Sequence, residues 1–533
     1  MFFGPGNCPT LVRKGLKGGQ MRTKIETLNG ARFGVCVIGA GVNGASTAQH
    51  LAGAGYSVLL VDKNDYGAGS SSRSSRLLHC GLRYFAPGAS IFEFLKHPSR
   101  LKTALRMARL AMQARRQLVQ TAPERVRALR FHFPIWSDAI YRPWQVKLAL
   151  TTLAAMAPGD VPLDHKMIAP AQARSIPLVG ALRDWERLQG IGAFREYQFE
   201  WPERLCIDAV LDAERLGAVV RNYTAATRLT REDGGWTIEL TDGPTGAKAT
   251  IAAKLVLNMA GIWIDRVNAA SGGERPRKIL GTKGIHLMVQ LPPDCADIGI
   301  VTFNRRNEPL YCIPWRGMHY FGPTETVYEG DLDDIRAEDD EIDSLLAEAN
   351  HLLPSLRLKR ADILFTWAGV RPLSYDPALP KGKRSRDVHD LASAGMPDVY
   401  AMTAGPVMTH RSAGTEMVDV VRGRLAPTRE VRPVDYGARR FPENQNSPPI
   451  VADWTAAKFA DLRHAAAHEH ATNLVDLMFR RVGAGWTKTM GIDAADRAAE
   501  TVADVLGWDA ERTRAEAEGY RQYLRRIHAV RAG

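Results

Sequence analysis

The sequence predicts an α/β fold that ends in a small helical domain, and three observations predict it. Residues 33–65, FGVCVIGAGVNGASTAQHLAGAGYSVLLVDKND, read as strand, glycine turn, helix, strand and acid. The middle of the chain carries short apolar runs of strand length, among them WTIELTD, PLYCIPW and MHYFGPTE. Residues 452–530 are alanine-rich with a helical period, and they follow a stretch at 431–451 rich in Pro, Asn and Arg.

The 533 residues suffice for roughly two or three domains. We expect a flexible extension over 1–31, the main body over 32–430, a linker over 431–451 and a helical C-terminal domain over 452–533. The net charge of +12 admits nucleic acid, an anionic membrane or an anionic substrate as partner. The cations are scattered, with no run of five, so no nucleic acid is expected. The six cysteines make no CxxC pair and no zinc spacing, so no metal is expected and a reducing, cytoplasmic setting is. Cys36 falls in an apolar strand pattern and is expected to be buried and inert. No apolar run reaches the length of a membrane span, and the first twenty residues interrupt any signal-like stretch with Gly and Pro.

In the first element, Val35, Val37 and Ile38 begin a strand, and Gly39, Gly41 and Gly44 follow at GxGxxG spacing. Gly39 permits the tight turn, Gly41 the approach of a pyrophosphate, and Gly44 close packing of helix on sheet. The helix through Ala48, Leu51 and Ala52 offers its N-terminal N–H groups to phosphate, and Asp62 ends the second strand where a carboxylate meets ribose hydroxyls. Such a unit holds NAD or FAD. The stretch after Asp62 separates them: it enters the hydroxyl-rich loop SSSRSSR at 70–76 instead of another helix and strand. Serines and backbone N–H groups bond pyrophosphate and ribityl oxygens without bulk, which suits the longer cofactor.

The segment 86–165 is mostly helical in pattern. In LKTALRMARLAMQARRQLVQ, Leu101, Leu105, Ala108, Met112 and Val119 share one face, beside a stripe of Lys102, Arg106, Arg109 and Arg116. A solvated helix on a sheet is the favoured reading and a membrane-surface helix the other. Strands are expected across 217–257. The acidic run from Tyr328 is read as a solvated loop and helix.

The motifs GAGVNGA, SSSRSSRLLHCGLRY, LNMAGIW, TKGIH, IPW, WAGVRPL and SRD stand in the same order as in the FAD-dependent glycerol-3-phosphate dehydrogenases, which the chain resembles over about residues 33–425. These belong to the glycine oxidase and D-amino-acid oxidase superfamily of flavoenzymes. The resemblance implies an FAD-binding Rossmann-like domain interleaved with an α+β substrate domain bearing an antiparallel sheet, then a helical cap. It implies that Gly39, Gly41, Gly44 and Asp62 hold the ADP part of FAD. Ser71, Ser72, Ser75, Arg76, Gly81, Gly405 and Thr409 would line the rest, with the helix after Gly405 facing the flavin. His79, Arg83 and Tyr84 would project toward the ring, and Arg371 and Arg386 would grip substrate. His79 is a candidate base, or a residue that orients the flavin. A phosphate carries about two negative charges, and guanidinium forks match its oxygens.

The implied reaction is hydride transfer from a secondary alcohol of a polyol phosphate to flavin N5, with electrons passed to quinone at the inner face of the membrane. The alternative is an oxidase of an amine, amino acid or hydroxy acid that uses O₂. A homodimer is a further expectation. The chain departs from the family pattern in having Cys80 for a glycine, Ala86 for a glutamate, and Pro406 for a lysine thought to touch substrate. We therefore expect an altered substrate, such as another polyol phosphate or a hydroxy acid.

Overall fold

The computed structural model describes residues 22–85, 94, 98–157, 159–380, 382–384, 386–444 and 446–529. The chain divides into two compact units. The first comprises Met1–Ser72, Glu203–Leu280 and Pro372–Arg521; the second comprises Arg73–Pro202, Gly281–Arg371 and Gln522–Gly533. The chain thus alternates between them.

The first unit is organised on β1 (Arg32–Ile38), α1 (Val42–Gly53) and β2 (Val58–Val61). In its eight-stranded sheet β1 lies between Lys248–Asn258 and β2, both parallel to it, with Val399–Thr403 and Val219–Arg221 parallel beyond them. Such a sheet is buried on both faces, and the period of two in β1 shows it. Val35 and Val37 pack with Ala45, Ala48 and Leu51 of α1 and with Met417 and Val421 of the helix His410–Arg422. Cys36 and Ile38 point the other way, into a cluster with Trp236, Ile238 and Leu240 of the hairpin Thr224–Glu232/Gly235–Asp242. Burial pushes the Cys36 thiol up to about 12, so it is inert at neutral pH.

Ile25 and Leu28 are buried in that same cluster, and the Gly30 N–H donates to the Thr250 carbonyl. Residues 22–31 therefore differ from the flexible extension expected of them: two apolar side chains one helical turn apart find an uncovered patch of the hairpin. Residues 1–21 lie outside the described residues.

Residues 424–444 and 446–448 carry no regular element, and several of them are tied down. Gln49 Nε2 donates to the Asp435 carbonyl at 3.0 Å, and His50 Nε2 lies 2.7 Å from the Tyr436 hydroxyl. A short hairpin, Pro449–Val451 with Trp454–Lys458, precedes the helices Phe459–His468, Ala495–Leu506 and Ala510–His528. Buried ion pairs hold the part of this region that belongs to the first unit. Arg204 Nη2 donates to Glu469 at 2.6 Å, and Arg480 and Arg481 both donate to Asp65. Burial alone would raise the Asp65 carboxyl; the Arg481 and Arg480 guanidiniums overcome it and hold it well below the usual carboxylate range.

The second unit carries a ten-stranded sheet. Its longest pairing is Val126–Trp136 against Leu188–Phe199, antiparallel, with Arg130 opposite Arg195. The pairs Pro309–Trp315 with Met318–Gly322 and with Ile298–Phe303 are also antiparallel. One pair is not: Ile298–Phe303 runs parallel to Val126–Trp136. The long stretch of chain between those two strands supplies the crossover that a parallel pair needs. The helices Pro98–Thr121 and Pro143–Met156 belong to this unit. Among the described residues no helix is long and apolar enough to cross a membrane.

Candidate functional site

In the first unit a cleft opens at the C-terminal ends of β1 and Lys248–Asn258, where an open parallel sheet places its ligand. It encloses about 1190 Å³, counting the space open to solvent. Its floor is bare backbone. Gly39 has φ +105°, and a Cβ there would lie 2.6 Å from the Met259 carbonyl oxygen. At Gly44 a Cβ would fall 1.8 Å from the Gly39 carbonyl oxygen. Gly41 caps α1. The first free N–H of the helix, that of Val42, donates to Ser71 Oγ at 3.0 Å.

Asp62 accepts from the Ala40 and Asn64 N–H groups at 2.6 and 2.8 Å. Burial raises its carboxyl to about 6, against the pull of those two bonds. The opposite wall is Thr224–Ala226, with Trp263 nearby and Lys63 Nζ 4.4 Å above its ring. Asn258 shapes the turn before Trp263: its Nδ2 donates to the Ile264 carbonyl and to Asn268, and its Oδ1 accepts from the Ala260 N–H. At the far end stand Ala404 and Gly405, both at positive φ. The cradle fits the adenosine diphosphate half of FAD. Glycines leave no Cβ in the way, a helix start and a hydroxyl lie beside them where a phosphate could be held, and Asp62 offers a carboxylate that a ribose could use. Asn43 Oδ1 also belongs to the cleft wall and is buried without a partner. A ligand donor would satisfy it.

The second unit brings together a different group. His286 stacks on Trp367 with centroids 4.5 Å apart, and its Nε2 lies 3.0 Å from Ser75 Oγ. Burial, then Arg371, then Arg76 hold this histidine well below its usual range, so it is neutral. The Arg371 guanidinium rests against Gly284, where a Cβ would lie 2.7 Å from Nη2. A Cβ there would also lie 2.8 Å from the Thr324 carbonyl oxygen, so the glycine of the TKGIH motif makes room for both the backbone at Thr324 and the arginine.

His79 and Cys80 border an apolar cavity in the same unit. Leu77 and Leu78 pair with Gln198 and Tyr197, so one step further along the register sets His79 opposite Glu196. Tyr84 meets the His79 ring edge-on at 5.7 Å. Glu196 is 1% exposed and its Oε1 accepts from the Cys80 N–H at 2.8 Å. Its Oε2 is buried and accepts no hydrogen bond of good geometry; the Cys80 thiol is the polar group beside it. Burial pushes this carboxyl up to about 7, although Arg115 pulls the other way.

Of the residues expected from the sequence, Gly39, Gly41, Asp62, Ser71 and Gly405 line the cleft, with Gly44 packed directly behind. Ser72 turns inward instead, its hydroxyl bonded to the Ala68 and Gly69 carbonyls. Ser75 meets His286, and Arg76 is fully buried over the Trp315 ring at 4.2 Å, in the aromatic core of the second unit. Gly81 takes φ +92° where a Cβ would press on Ala108. Arg386 donates to Glu416 at 2.6 and 2.9 Å and to the Thr409 carbonyl at 3.1 Å, and Thr409 Oγ1 donates to the Pro406 carbonyl. Pro406 caps the turn Val407–Thr409 that leads into His410–Arg422. The Arg83 side chain and Ala86 lie outside the described residues. Sequence reasoning did not single out Trp263, Glu196 or His286 as site residues, although Trp263 and His286 sit in quoted motifs.

Comparison with known proteins agrees with this geometry. Residues 34–413 match the family described as FAD dependent oxidoreductase, and residues 443–513 match the C-terminal domain of alpha-glycerophosphate oxidase. A glycerol-3-phosphate dehydrogenase of Synechocystis sp. is 30% identical over 95% of this chain and 98% of its own. A D-erythritol 1-phosphate dehydrogenase of Brucella abortus is 30% identical over 70% of each. In fold, the glycerol-3-phosphate dehydrogenase of Bacillus halodurans complexed with FAD superimposes with a TM-score of 0.70, at 20% identity over 94% of this chain and 96% of that one. With the nucleotide cleft intact and the match running nearly end to end, the chain belongs to the FAD-dependent oxidoreductases, as a member of the glycerol-3-phosphate dehydrogenase type.

Proposed function

We propose that the protein oxidises the secondary alcohol of a polyol phosphate longer than glycerol 3-phosphate and delivers the electrons to a quinone. The observation that carries the substrate class is Arg371 seated on Gly284 beside the neutral His286. A phosphate needs a fixed guanidinium fork, and a neutral imidazole beside it accepts or donates a hydrogen bond without adding charge. Pro406 has neither an N–H nor a cationic side chain, so the grip on phosphate falls to arginine. An erythritol 1-phosphate dehydrogenase is as identical to this chain as the glycerol-3-phosphate dehydrogenase of Synechocystis sp., over a shorter stretch, so the family admits a longer substrate and the choice rests on the loss of the cation at Pro406.

FAD, when bound, supplies the hydride acceptor. His79 takes the hydroxyl proton, and Tyr84 holds its ring from the edge. Arg386, tied to Glu416 and Thr409, fixes the turn after Gly405. The alcohol gives up two electrons and two protons, and a quinone takes up the same number of each. Lys102, Arg106 and Arg109 are exposed on the helix Pro98–Thr121 and suit the anionic inner face of a membrane. Flotation with anionic vesicles at low salt checks this, and protein left wholly in the soluble fraction would refute it.

The main test is anaerobic mixing of the purified flavoprotein with glycerol 3-phosphate, tetritol phosphates and the unphosphorylated polyols. Bleaching of the flavin is expected with phosphorylated substrates, fastest with a tetritol phosphate. Arg371→Lys should raise KM by roughly tenfold to a hundredfold through loss of the bidentate fork. Equal bleaching by unphosphorylated polyols would overturn the substrate class. Glycerol 3-phosphate as the best substrate would overturn the longer one. Peroxide release under air, matched to turnover, would replace quinone by O₂.

A further inference from the structure

The region 443–513 takes no direct part in the nucleotide cleft of the first unit, because no described residue beyond Val407 lines it. It is nevertheless bonded to the two loops that carry the cleft's carboxylate and its opposite wall. Asp62 opens the loop after β2, and Thr224 opens the wall Thr224–Ala226. Three backbone bonds join loop and wall. The Asp62 N–H donates to the Arg221 carbonyl at 3.0 Å, the Thr224 N–H to the Asp62 carbonyl at 2.6 Å, and the Tyr223 N–H to the Asn64 carbonyl at 2.9 Å. A shift of one is therefore a shift of both.

The C-terminal region grips this joined piece through three side chains. The Tyr223 hydroxyl donates to Asp476 at 2.6 Å and accepts from Asn473 Nδ2 at 2.7 Å. Asn222 is fully buried, and its Nδ2 donates to the His470 carbonyl at 2.8 Å and to Asp65 at 2.9 Å. Asp65 accepts two bonds from Arg481, at 2.7 and 2.8 Å, and one from Arg480. Both arginines stand in the π-helical turn Asp476–Arg481, a rare winding found mostly at functional positions. Tyr223 sits at φ +47°, which a bulky side chain holds only where its surroundings force it. Burial, then Asp476 and Asp65, push its phenol well above the usual range, so it stays a donor.

Attachment alone does not call for these bonds. Arg204 already pairs with Glu469 and fastens the same region to the helix Pro202–Arg215. The second set of bonds falls on the loop that carries Asp62.

We propose that residues 470–481 are a clamp on the FAD cleft: through Asp65, Asn222 and Tyr223 their docking fixes the Asp62 loop, and the adenosine half of FAD binds tightly only while they are docked. The three are positioning residues, since none of them lines the cleft. Coupling between two sites is reciprocal, so bound FAD must in turn hold the clamp down.

The test reads cofactor and clamp without turnover. The holoprotein is diluted into buffer free of FAD, and release is followed by flavin fluorescence. Tyr223→Phe keeps the ring and deletes the hydroxyl shared by Asp476 and Asn473; it should release FAD about tenfold faster than the wild type. Arg463→Gln breaks an exposed pair with Asp504 in the same C-terminal region and should release it at the wild-type rate. Release from Tyr223→Phe at the wild-type rate would overturn the clamp, and so would equally fast release from both variants. Hydrogen exchange decides the matter in the wild type, should Tyr223→Phe loosen the whole fold. FAD should slow exchange of amides 472–481 at least about tenfold relative to the flavin-stripped full chain, beyond any change in the helix Ala495–Leu506. Slowing confined to residues 39–45 and 62–64 would overturn the proposal. Holoprotein of Tyr223→Phe should keep the slowing at 39–45 and lose most of it at 472–481. Slowing kept in full at 472–481 would remove Tyr223 from the coupling and overturn its role.

Discussion

The cleft of the first unit is walled by backbone, and the cavity of the second by side chains. In the cleft, Gly39, Gly41 and Gly405 clear the way, and N–H groups, hydroxyls, Asp62 and the Asn43 amide are among the polar groups that line it. In the cavity, five rings and Glu196 come from strands that the sequence scatters from Phe131 to Tyr311. The difference teaches what each site tolerates. A backbone cradle fails when one atom is added, because the backbone cannot step aside. A side-chain cavity deforms, and its chemistry rests on one carboxyl.

The largest expected effect therefore belongs to the cleft. Gly44→Val would place a Cβ 1.8 Å from the Gly39 carbonyl oxygen, and no rotamer relieves that contact. The variant should purify colourless, with no flavin released on acid treatment. A yellow variant at normal stoichiometry would show that the helix can shift away from the sheet, and the contrast with the cavity would be lost.

The next largest effect concerns the two buried carboxyls near these sites. Asp65 lies three residues beyond Asp62 and receives both Arg480 and Arg481. Glu196 receives one backbone N–H on one oxygen. Asp65→Asn removes the carboxylate that Arg480 and Arg481 share, leaving Arg480 with Asp476 alone, and should cost about 4 kcal/mol, read as a lower urea midpoint of the holoprotein. A loss under about 1 kcal/mol would mean that Asp476 and Glu469 suffice to balance those arginines.

What the sequence shows divides along the same line. The cleft is legible because its cradle is contiguous: GAGVNGA carries the glycines, and Asp62 and Ser71 stand at short, fixed distances beyond. Arg76 is harder to read for the same reason. Its neighbour serines made the loop look like one surface, but the chain leaves the first unit at Ser72, and Arg76 turns under Trp315 instead. Glu196 left one local trace. In the strand Leu188–Phe199 the residues Phe194, Glu196 and Gln198 fall on the buried side of a period-two pattern, so a carboxyl occupies a core position. What surrounds it depends on strands more than a hundred residues away in sequence, such as Ile298–Phe303, which no local pattern pairs with Val126–Trp136.

Glu196 also gives a pH signature that the cleft cannot imitate. Its carboxyl rises from an ordinary 4.5 to about 7 on folding, so the folded chain holds the proton more tightly than the unfolded one. The stabilisation is present in full below about 4.5 and is lost as the pH rises through about 7, a difference of about 3 kcal/mol. Arg115, Cys80 and His79 are the other titratable groups beside it. Glu196→Gln stays neutral throughout and should be more stable than the wild type at pH 8, with the gain gone by pH 5. Melting both proteins across that range checks the sign, and parallel curves would mean that water reaches the carboxyl.

The smallest effect returns to the cleft and asks whether its donors are meant for a ligand. In the structure the Val42 N–H donates to Ser71 Oγ. Ser71→Ala strips that partner from a buried helix start and should lower the stability of the flavin-free protein by about 1 kcal/mol. With FAD bound, a phosphate oxygen can take the same N–H, because helix N-termini favour anions. The holoprotein should then lose less than the apoprotein, and FAD should bind to the variant about as tightly as to the wild type, or slightly tighter. An equal loss in both forms would mean that Ser71, and not the cofactor, keeps that bond throughout. The N–H of Val42 would then be part of the frame and no longer part of the site.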